Sequence, residues 1–155
     1  MAMTGTDAVM PIRDFPGGSA LAALVIPPSS STRPYFDQLK TGKLALQRCS
    51  GCGRHRNPIA PVCPYCGSTS YEWVASEGKG VVVSWVRYLR SYLPEFERMV
   101  PYVVLCVELT EGARMFGRLA DADLEPRIGM TVSVIIERWA DGGHSPAFVA
   151  DGERR

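Results

Sequence analysis

Hydrophobic and polar positions alternate along most of the second half of the chain, and this period of two predicts β-strands. Five segments carry the pattern: GVVVSWVRYLR (80–90), YVVLCVELT (102–110), ARMFGRL (113–119), GMTVSVIIERW (129–139) and AFVA (147–150). A Glu111-Gly112 turn joins the second and third segments as a hairpin. Five short strands with a central hairpin predict a small closed or partly open barrel.

The first half of the chain has weaker periodicity, and its clearest signals are residues that begin and end a helix. TRPYFDQLKTGK predicts a short helix, because Thr32 can cap it, Pro34 suits the first turn and Gly42 suits the position past its end. The apolar face of this helix consists of Tyr35, Phe36 and Leu39. That face either covers the core or contacts another protein. KLALQRC (43–49) and SYEWVA (70–75) alternate as two further strands.

Residues 1–31 are rich in Ala, Pro, Gly and Ser and have no sustained period, so they predict a flexible N-terminal tail. Within this tail, only residues 20–26 are apolar enough to dock on another surface. The stretch SALAALVIPPSSS could suggest a secretory signal, but the acidic residues and prolines upstream argue against one. No apolar run approaches the roughly 20 residues that span a bilayer. We therefore expect a cytoplasmic protein that does not enter membranes.

The charge balance narrows the function further. The 155 residues include 17 Lys and Arg against 16 Asp and Glu, for a formal charge of +1. Proteins that bind nucleic acids by neutralising phosphates usually show a marked basic excess. This near-neutral balance disfavours a nucleic-acid partner.

Four of the five cysteines form two Cys-x-x-Cys pairs separated by ten residues. They are Cys49, Cys52, Cys63 and Cys66, in CSGCG and CPYCG. Two such pairs can place four sulfurs at the corners of a tetrahedron, the geometry of structural zinc. Disulfides would suit a secreted protein, and a redox site needs one such pair at the start of a helix. The spacing therefore favours one structural Zn²⁺ per chain.

Basic residues crowd the predicted metal site. Four thiolates around one Zn²⁺ leave two negative charges, and the simplest role of the neighbouring basic residues is to offset them. These residues are Arg48, Arg54, His55 and Arg56. Because four protein ligands leave no open position on the ion, the pattern also argues against catalytic zinc.

Motifs of a reaction centre are missing from the sequence. Cys106 lies in an apolar strand, where a cysteine is usually a small core residue, and pairing it with His55 or His144 would need an unforeseen contact. There is no Gly-x-Ser-x-Gly elbow and no phosphate-cradling glycine loop. Asp121 and Asp123 are interpreted as part of a solvated connector.

The segment RYLRSYLPEFERMVPY (87–102), between the first two barrel strands, combines arginines with aromatic residues. It either folds over one end of the barrel and buries its aromatics, or presents a surface for a ligand or partner. The candidate surface residues, together with Tyr35 and Phe36 of the helix, are Arg87, Tyr88, Arg90, Tyr92 and Phe96.

The order of motifs resembles the DUF35 family. A short helix before GKL, a strand ending in LQRC, the pairs CGR and CPYCG, then EWV, GKGVVVSW, VPYVVLCVELTEGARMFGRL and IGMTV carry this resemblance from about residue 33 to 148. It implies a mainly β protein with an N-terminal helix, a rubredoxin-like zinc ribbon and a five-stranded OB-fold barrel. The expected division is a tail (1–31), a helix and ribbon (32–75) and an OB-fold domain (76–150). By motif position, the four paired cysteines carry over as zinc ligands.

The resemblance also implies an accessory subunit without catalytic residues of its own. Members of the family accompany thiolase-fold enzymes, including acyl-CoA thiolases, hydroxymethylglutaryl-CoA synthases, acyltransferases and the aldolases of steroid side-chain degradation; some accompany hot-dog-fold hydratases. They dock on the catalytic dimer and help to form the acyl-CoA channel. We therefore expect a hetero-oligomer, naturally two-plus-two, in lipid or steroid metabolism. Two alternatives remain: a single-stranded nucleic-acid-binding module, and an enzyme built on Cys106.

Overall fold

The computed structural model describes residues 8–16, 29–92 and 96–152, together with the backbone of residues 4–5. One short helix and ten strands make up its regular structure within these ranges. They are β1 (Thr4–Gly5), β2 (Ile12–Asp14), α1 (Arg33–Lys40), β3 (Ala45–Cys49), β4 (His55–Arg56), β5 (Tyr71–Ala75), β6 (Lys79–Tyr88), β7 (Tyr102–Leu109), β8 (Arg114–Leu119), β9 (Thr131–Arg138) and β10 (His144–Ala150).

Strands β6 to β10 close into a barrel. β6, β7 and β8 form an antiparallel meander, β10 pairs in parallel with β8, and β9 pairs antiparallel with both β10 and β6. Alternate residues of β7 point inward, so that Val103, Leu105, Val107 and Leu109 are buried. This closed five-stranded ring confirms the predicted barrel and has the strand order of an OB-fold.

Strands β1, β3, β4 and β5 form a second, four-stranded sheet in the order β1-β5-β3-β4. Leu44, Leu46 and Trp73 from this region belong to the same buried cluster as barrel residues such as Leu105 and Phe148. The four-stranded sheet and the barrel therefore share one apolar core.

Helix α1 covers part of that core. Tyr35 and Leu39 are buried, while Phe36 is half-buried against the cluster. The helix begins after Thr32, as predicted, but the Thr32 hydroxyl donates to the Ser29 carbonyl instead of capping the helix. At eight residues, α1 is far too short to cross a membrane, and among the described residues no helix is long and apolar enough to do so.

The N-terminal segment differs from the predicted flexible tail. Strand β2 pairs in parallel with β9, and the flanking residues Met10 and Phe15 are buried. The Phe15 ring stacks on Trp139 with 4.7 Å between centroids, and Asp14 forms an ion pair with Arg138. Residues 8–16 are thus packed on the barrel, which corrects the prediction for this part of the tail. The predicted docking segment, residues 20–26, lies outside the described residues.

At Gly80, strands β6 and β7 approach each other closely. A Cβ atom at this position would lie 2.5 Å from the Glu108 carbonyl oxygen and 2.6 Å from Val107 Cγ1. Because the first of these atoms belongs to the backbone of a paired strand, it has little freedom to move.

We predict that Gly80→Ala lowers the free energy of unfolding by roughly 1–3 kcal/mol, the usual range for overpacking. Equilibrium unfolding in urea measures this change. Ser84→Ala, at an exposed position of the same strand, serves as the control and should leave the midpoint nearly unchanged. Equal urea midpoints for Gly80→Ala and Ser84→Ala would show that β6 and β7 can move apart at this point without loss of stability.

Candidate metal centre

The two cysteine pairs lie in two turns of the same construction. In the first, the Gly53 amide donates to the Cys49 carbonyl at 2.9 Å; in the second, the Gly67 amide donates to the Cys63 carbonyl, also at 2.9 Å. Both glycines have positive φ, +73° and +75°, and an added Cβ would meet nothing within 4 Å. The left-handed conformation of each turn, and not lack of space, therefore selects glycine here.

The two turns bring all four sulfurs together. Cys49 Sγ lies 3.6 Å from Cys66 Sγ, and Cys52 Sγ lies 3.7 Å from Cys63 Sγ. All four sulfurs lie within 4.8 Å of one another. With Zn–S bonds of about 2.3 Å, a tetrahedral centre places its sulfurs about 3.8 Å apart. The geometry of the four cysteines therefore fits one Zn²⁺.

Backbone amides prepare some of these thiols for a metal. The Cys52 amide hydrogen bond is the main cause that lowers the pKa of the Cys49 thiol to about 6, and the Tyr65 amide lowers the pKa of Cys63. At Cys66, the Ser68 amide also lowers the pKa, but the neighbouring sulfurs and burial outweigh it and raise the pKa to about 11. Thiolates this close repel one another, so all four thiols do not readily lose their protons together. A divalent cation offsets this repulsion and holds all four as thiolates.

Burial divides the four ligands into two kinds. Cys49 and Cys63 are 1% and 2% exposed, whereas Cys52 and Cys66 are exposed to solvent. One edge of the centre is thus embedded in the protein and the other faces outward. Because the protein supplies all four ligands, an ion held here has no position left for a substrate or a reactive water, which is the pattern of a structural site.

The basic residues near the centre are engaged in polar or cation–π contacts. Arg48 pairs with Glu72 at 3.1 Å, and the Arg54 guanidinium lies 4.4 Å from the centre of the Tyr65 ring. His55 Nδ1 lies 3.1 Å from the Glu111 carbonyl oxygen, which links the ribbon to the barrel hairpin. The suggested role of these residues in offsetting thiolate charge stays a prediction.

The candidate surface residues that the sequence predicted differ in how far the structure exposes them. Tyr35 is buried, and burial raises the pKa of its hydroxyl, so Tyr35 contributes to the core and not to an exposed surface. Arg87 is half-buried and pairs with Glu125, while Tyr88 stacks on Tyr102 with 4.8 Å between ring centroids.

Phe96 lies beside the same stack, with 6.2 Å between the centroids of its ring and the Tyr102 ring. Arg90 and Tyr92 are exposed, the latter at 82%. This aromatic cluster packs at the edge of the barrel, while Tyr92 projects into solvent. The segment thus combines features of both interpretations that the sequence allowed.

A second exposed region, which the sequence analysis missed, lies on the outer face of β6, β7 and β8. We call it the outer face and define it by Val86, Val104, Cys106 and Phe116. Cys106 pairs with Phe116, and Val86 pairs with Val104, so all four side chains point away from the core. Phe116 is 67% exposed and Val86 is 48% exposed. The signal was present in ARMFGRL, where Met115 points inward and Phe116 must therefore point outward.

Cys106 lies half-buried on this face, and not in the core as predicted. Neither histidine engages it through a described contact: His55 Nδ1 contacts the Glu111 carbonyl oxygen, and His144 Nδ1 contacts the Gly142 carbonyl oxygen. Among the described residues, the four paired cysteines are the only group of three or more His, Cys, Asp or Glu placed to hold a metal.

We predict that Cys63→Ser loses tightly bound zinc and unfolds at a markedly lower temperature, because a buried ligand disappears. Structural zinc contributes about 10–16 kcal/mol in zinc-finger peptides, so the loss should be large. Elemental analysis and thermal unfolding of purified protein measure both effects. The matched control, Cys106→Ser, should keep one zinc per chain; equal zinc content in the two variants would contradict the site.

Comparison with known proteins agrees with this architecture. Residues 36–72 match the family model of the ChsH2 rubredoxin-like zinc ribbon domain, and residues 73–137 match that of the ChsH2 C-terminal OB-fold domain. A probable enoyl-CoA hydratase alpha subunit of Thermomonospora curvata is 40% identical over 99 residues, covering 63% of this chain and 30% of the relative. This chain thus spans less than a third of that subunit.

A DUF35 domain-containing scaffold protein of Methanocaldococcus jannaschii is 35% identical over 98 residues, covering 62% of this chain and 69% of the relative. Among solved structures, the Ltp2-ChsH2(DUF35) aldolase matches with a TM-score of 0.70 and 33% identity, covering 81% of this chain and 98% of the matched chain. The zinc ribbon, the closed barrel and these matches together show that the chain belongs to the DUF35 family.

Proposed function

We propose that this protein is a non-catalytic accessory subunit that binds a thiolase-fold enzyme and supports its chemistry on acyl-CoA thioesters. The single observation that carries the proposal is the exposed apolar outer face of the barrel, in a chain whose only described metal-binding cluster is the closed set of four thiols in the ribbon. The finer assignment, to a thiolase, an acyl-CoA synthase or a steroid side-chain aldolase, follows the family resemblance.

The metal centre supports a structural role. Zinc bound by four thiolates supplies no Lewis acid position and no activated water, so its contribution is to hold the two turns of the ribbon together. Cys106 is the remaining thiol, and its cross-strand neighbours on either side are Ser84 and Phe116. Neither of these two neighbours can act as a general base for it.

The outer face supports a docking role. Its central row contains Cys106 and Phe116, and its second row contains Val86 and Val104. Towards the end of the barrel, the same faces of β6 and β7 continue into the Tyr88–Tyr102 stack. An aliphatic and aromatic surface of this kind on a folded barrel is typical of a protein interface.

The names of the relatives support assembly with a partner protein. One is named as an alpha subunit of a probable enoyl-CoA hydratase, another as a scaffold protein, and a matched structure is an aldolase whose name joins Ltp2 to ChsH2(DUF35). These names point to heteromeric assemblies and to acyl-CoA chemistry. For this chain we infer a two-plus-two complex with a dimeric thiolase-fold enzyme, in which the accessory subunit helps to shape the acyl-CoA channel.

We predict that the isolated chain shows no turnover of acyl-CoA thioesters, and that a thiolase-fold enzyme gains activity or stability when the two are combined. Phe116→Asp should weaken the complex by at least about tenfold in Kd, since interface aromatics are frequent hot spots and a charge there would be desolvated. Size-exclusion chromatography with light scattering and titration calorimetry measure assembly; a coupled assay measures turnover.

Ile128→Asp is the matched control, because Ile128 is also a large exposed apolar residue, at 75%, but lies in the connector before β9. It should leave the affinity nearly unchanged. Turnover by the isolated chain would contradict the non-catalytic role. Equal affinities of the Phe116→Asp and unmodified proteins would remove the outer face from the interface.

A further inference from the structure

A cleft of about 500 Å³ separates the zinc ribbon from the β7–β8 hairpin. The ribbon side is formed by β4 and the loop that follows it, including Pro58 and Val62, and the barrel side includes Gly112 and Arg114. Its size lies within the roughly 300–1,000 Å³ that is usual for small-molecule sites. Neither the metal centre nor the outer face uses this cleft.

Arg56, which lines the cleft, is the unusual residue of this region. It lies on β4 and is only 5% exposed. Its Nε, Nη1 and Nη2 atoms are buried, and none of them forms a hydrogen bond with the described residues. The guanidinium lies 5.1 Å from the centre of the Tyr71 ring, which is a cation–π contact and supplies no acceptor. A buried cation without an acceptor is costly, so this arrangement needs a reason.

Acceptors in this region bond to donors other than Arg56. The Glu108 carboxylate, on the barrel side of the cleft, accepts from Arg114 at 3.1 Å. The Glu111 carboxylate accepts from the Glu77 amide at 2.8 Å and from the Thr110 hydroxyl. Gln47, opposite Arg56 in the ribbon sheet, accepts from the Ala60 amide through its Oε1 atom. No described acceptor bonds to the Arg56 guanidinium, so its donors remain unused at this wall of the cleft.

We propose that this cleft binds a small molecule carrying an oxyanion, either a carboxylate or a phosphate, and that Arg56 is the residue that holds it. The planar guanidinium offers parallel N–H donors that match both groups in a bidentate geometry. Low exposure strengthens such a contact, because little water competes for the donors. Proline and valine side chains on the ribbon wall leave apolar contact area for the rest of the ligand. This site is independent of the proposed partner enzyme.

The zinc-loaded full chain is titrated separately with sodium phosphate and with sodium acetate, at ionic strength held constant with sodium chloride. We expect one of the two anions to shift the Arg56 Nε–H resonance in ¹H–¹⁵N spectra with saturation, and to raise Tm by a few degrees. The anion that saturates at the lower concentration identifies the oxyanion class. An absence of a saturable shift with both anions would overturn the proposal.

Three variants separate binding from structural roles. Arg56→Met should abolish the response and leave the anion-free protein no less stable, because it removes an unpartnered buried charge. Arg56→Lys keeps the charge but not the bidentate fork, so its response should weaken several-fold.

Arg48→Met is the matched control, because Arg48 is an exposed ribbon arginine that is already paired with Glu72, and it should respond like the unmodified protein. An unchanged response of Arg56→Met or Arg56→Lys would overturn the assignment to Arg56. Zinc loss in Arg56→Met together with no anion response in the unmodified protein would instead assign the guanidinium to the metal centre.

Discussion

The constraint on which the rest of the structure depends is the convergence of four cysteine sulfurs within 4.8 Å of one another. The ribbon sheet that carries them has short strands, two of them only two residues long, and little apolar area of its own. A sheet of this size is marginal without a further crosslink, and small domains often use a metal for that purpose. The metal centre thus sets the positions of both turns and of the loop between them.

The loop between the two cysteine turns runs from the metal centre along one wall of the cleft. It starts in β4 with His55 and Arg56, and His55 contacts the barrel hairpin through the Glu111 carbonyl. Leu46 and Trp73 of the ribbon sheet belong to the same buried cluster as the barrel interior. The ribbon is therefore held to the barrel both by apolar packing and by a polar contact, and the cleft lies beside the polar contact.

The sequence predicted the barrel well because apolar residues alternate in its strands, most clearly in β7: Val103, Leu105 and Val107 are buried while Val104 and Cys106 face outward. It failed at β2, whose three residues are all exposed and which is held by backbone pairing and by the isolated anchors Met10 and Phe15. A strand without a buried face leaves no periodic signal.

The metal ligands were equally predictable, since their spacing alone places them at one centre. The lack of a partner for Arg56 was not predictable, because it depends on which acceptors surround the guanidinium in three dimensions. Sequence suggested only that basic residues lie near the cysteines. Likewise, Tyr35 and Phe36 are neighbours in sequence, yet the turn of the helix buries the first and leaves the second half-buried. Local pattern therefore identified the elements, while tertiary packing decided which of their side chains remained available for binding.

The filling of the barrel interior explains why any binding must occur on its exterior. Phe148, Leu105, Met115 and Leu119 are at most 1% exposed, and a Cβ atom at Gly117 would lie only 2.7 Å from the Phe148 ring. A five-stranded barrel is narrow enough for its own side chains to fill it. An acyl chain therefore has no internal compartment here. If this protein contributes to an acyl-CoA channel, it does so as one wall, and the partner enzyme must supply the other.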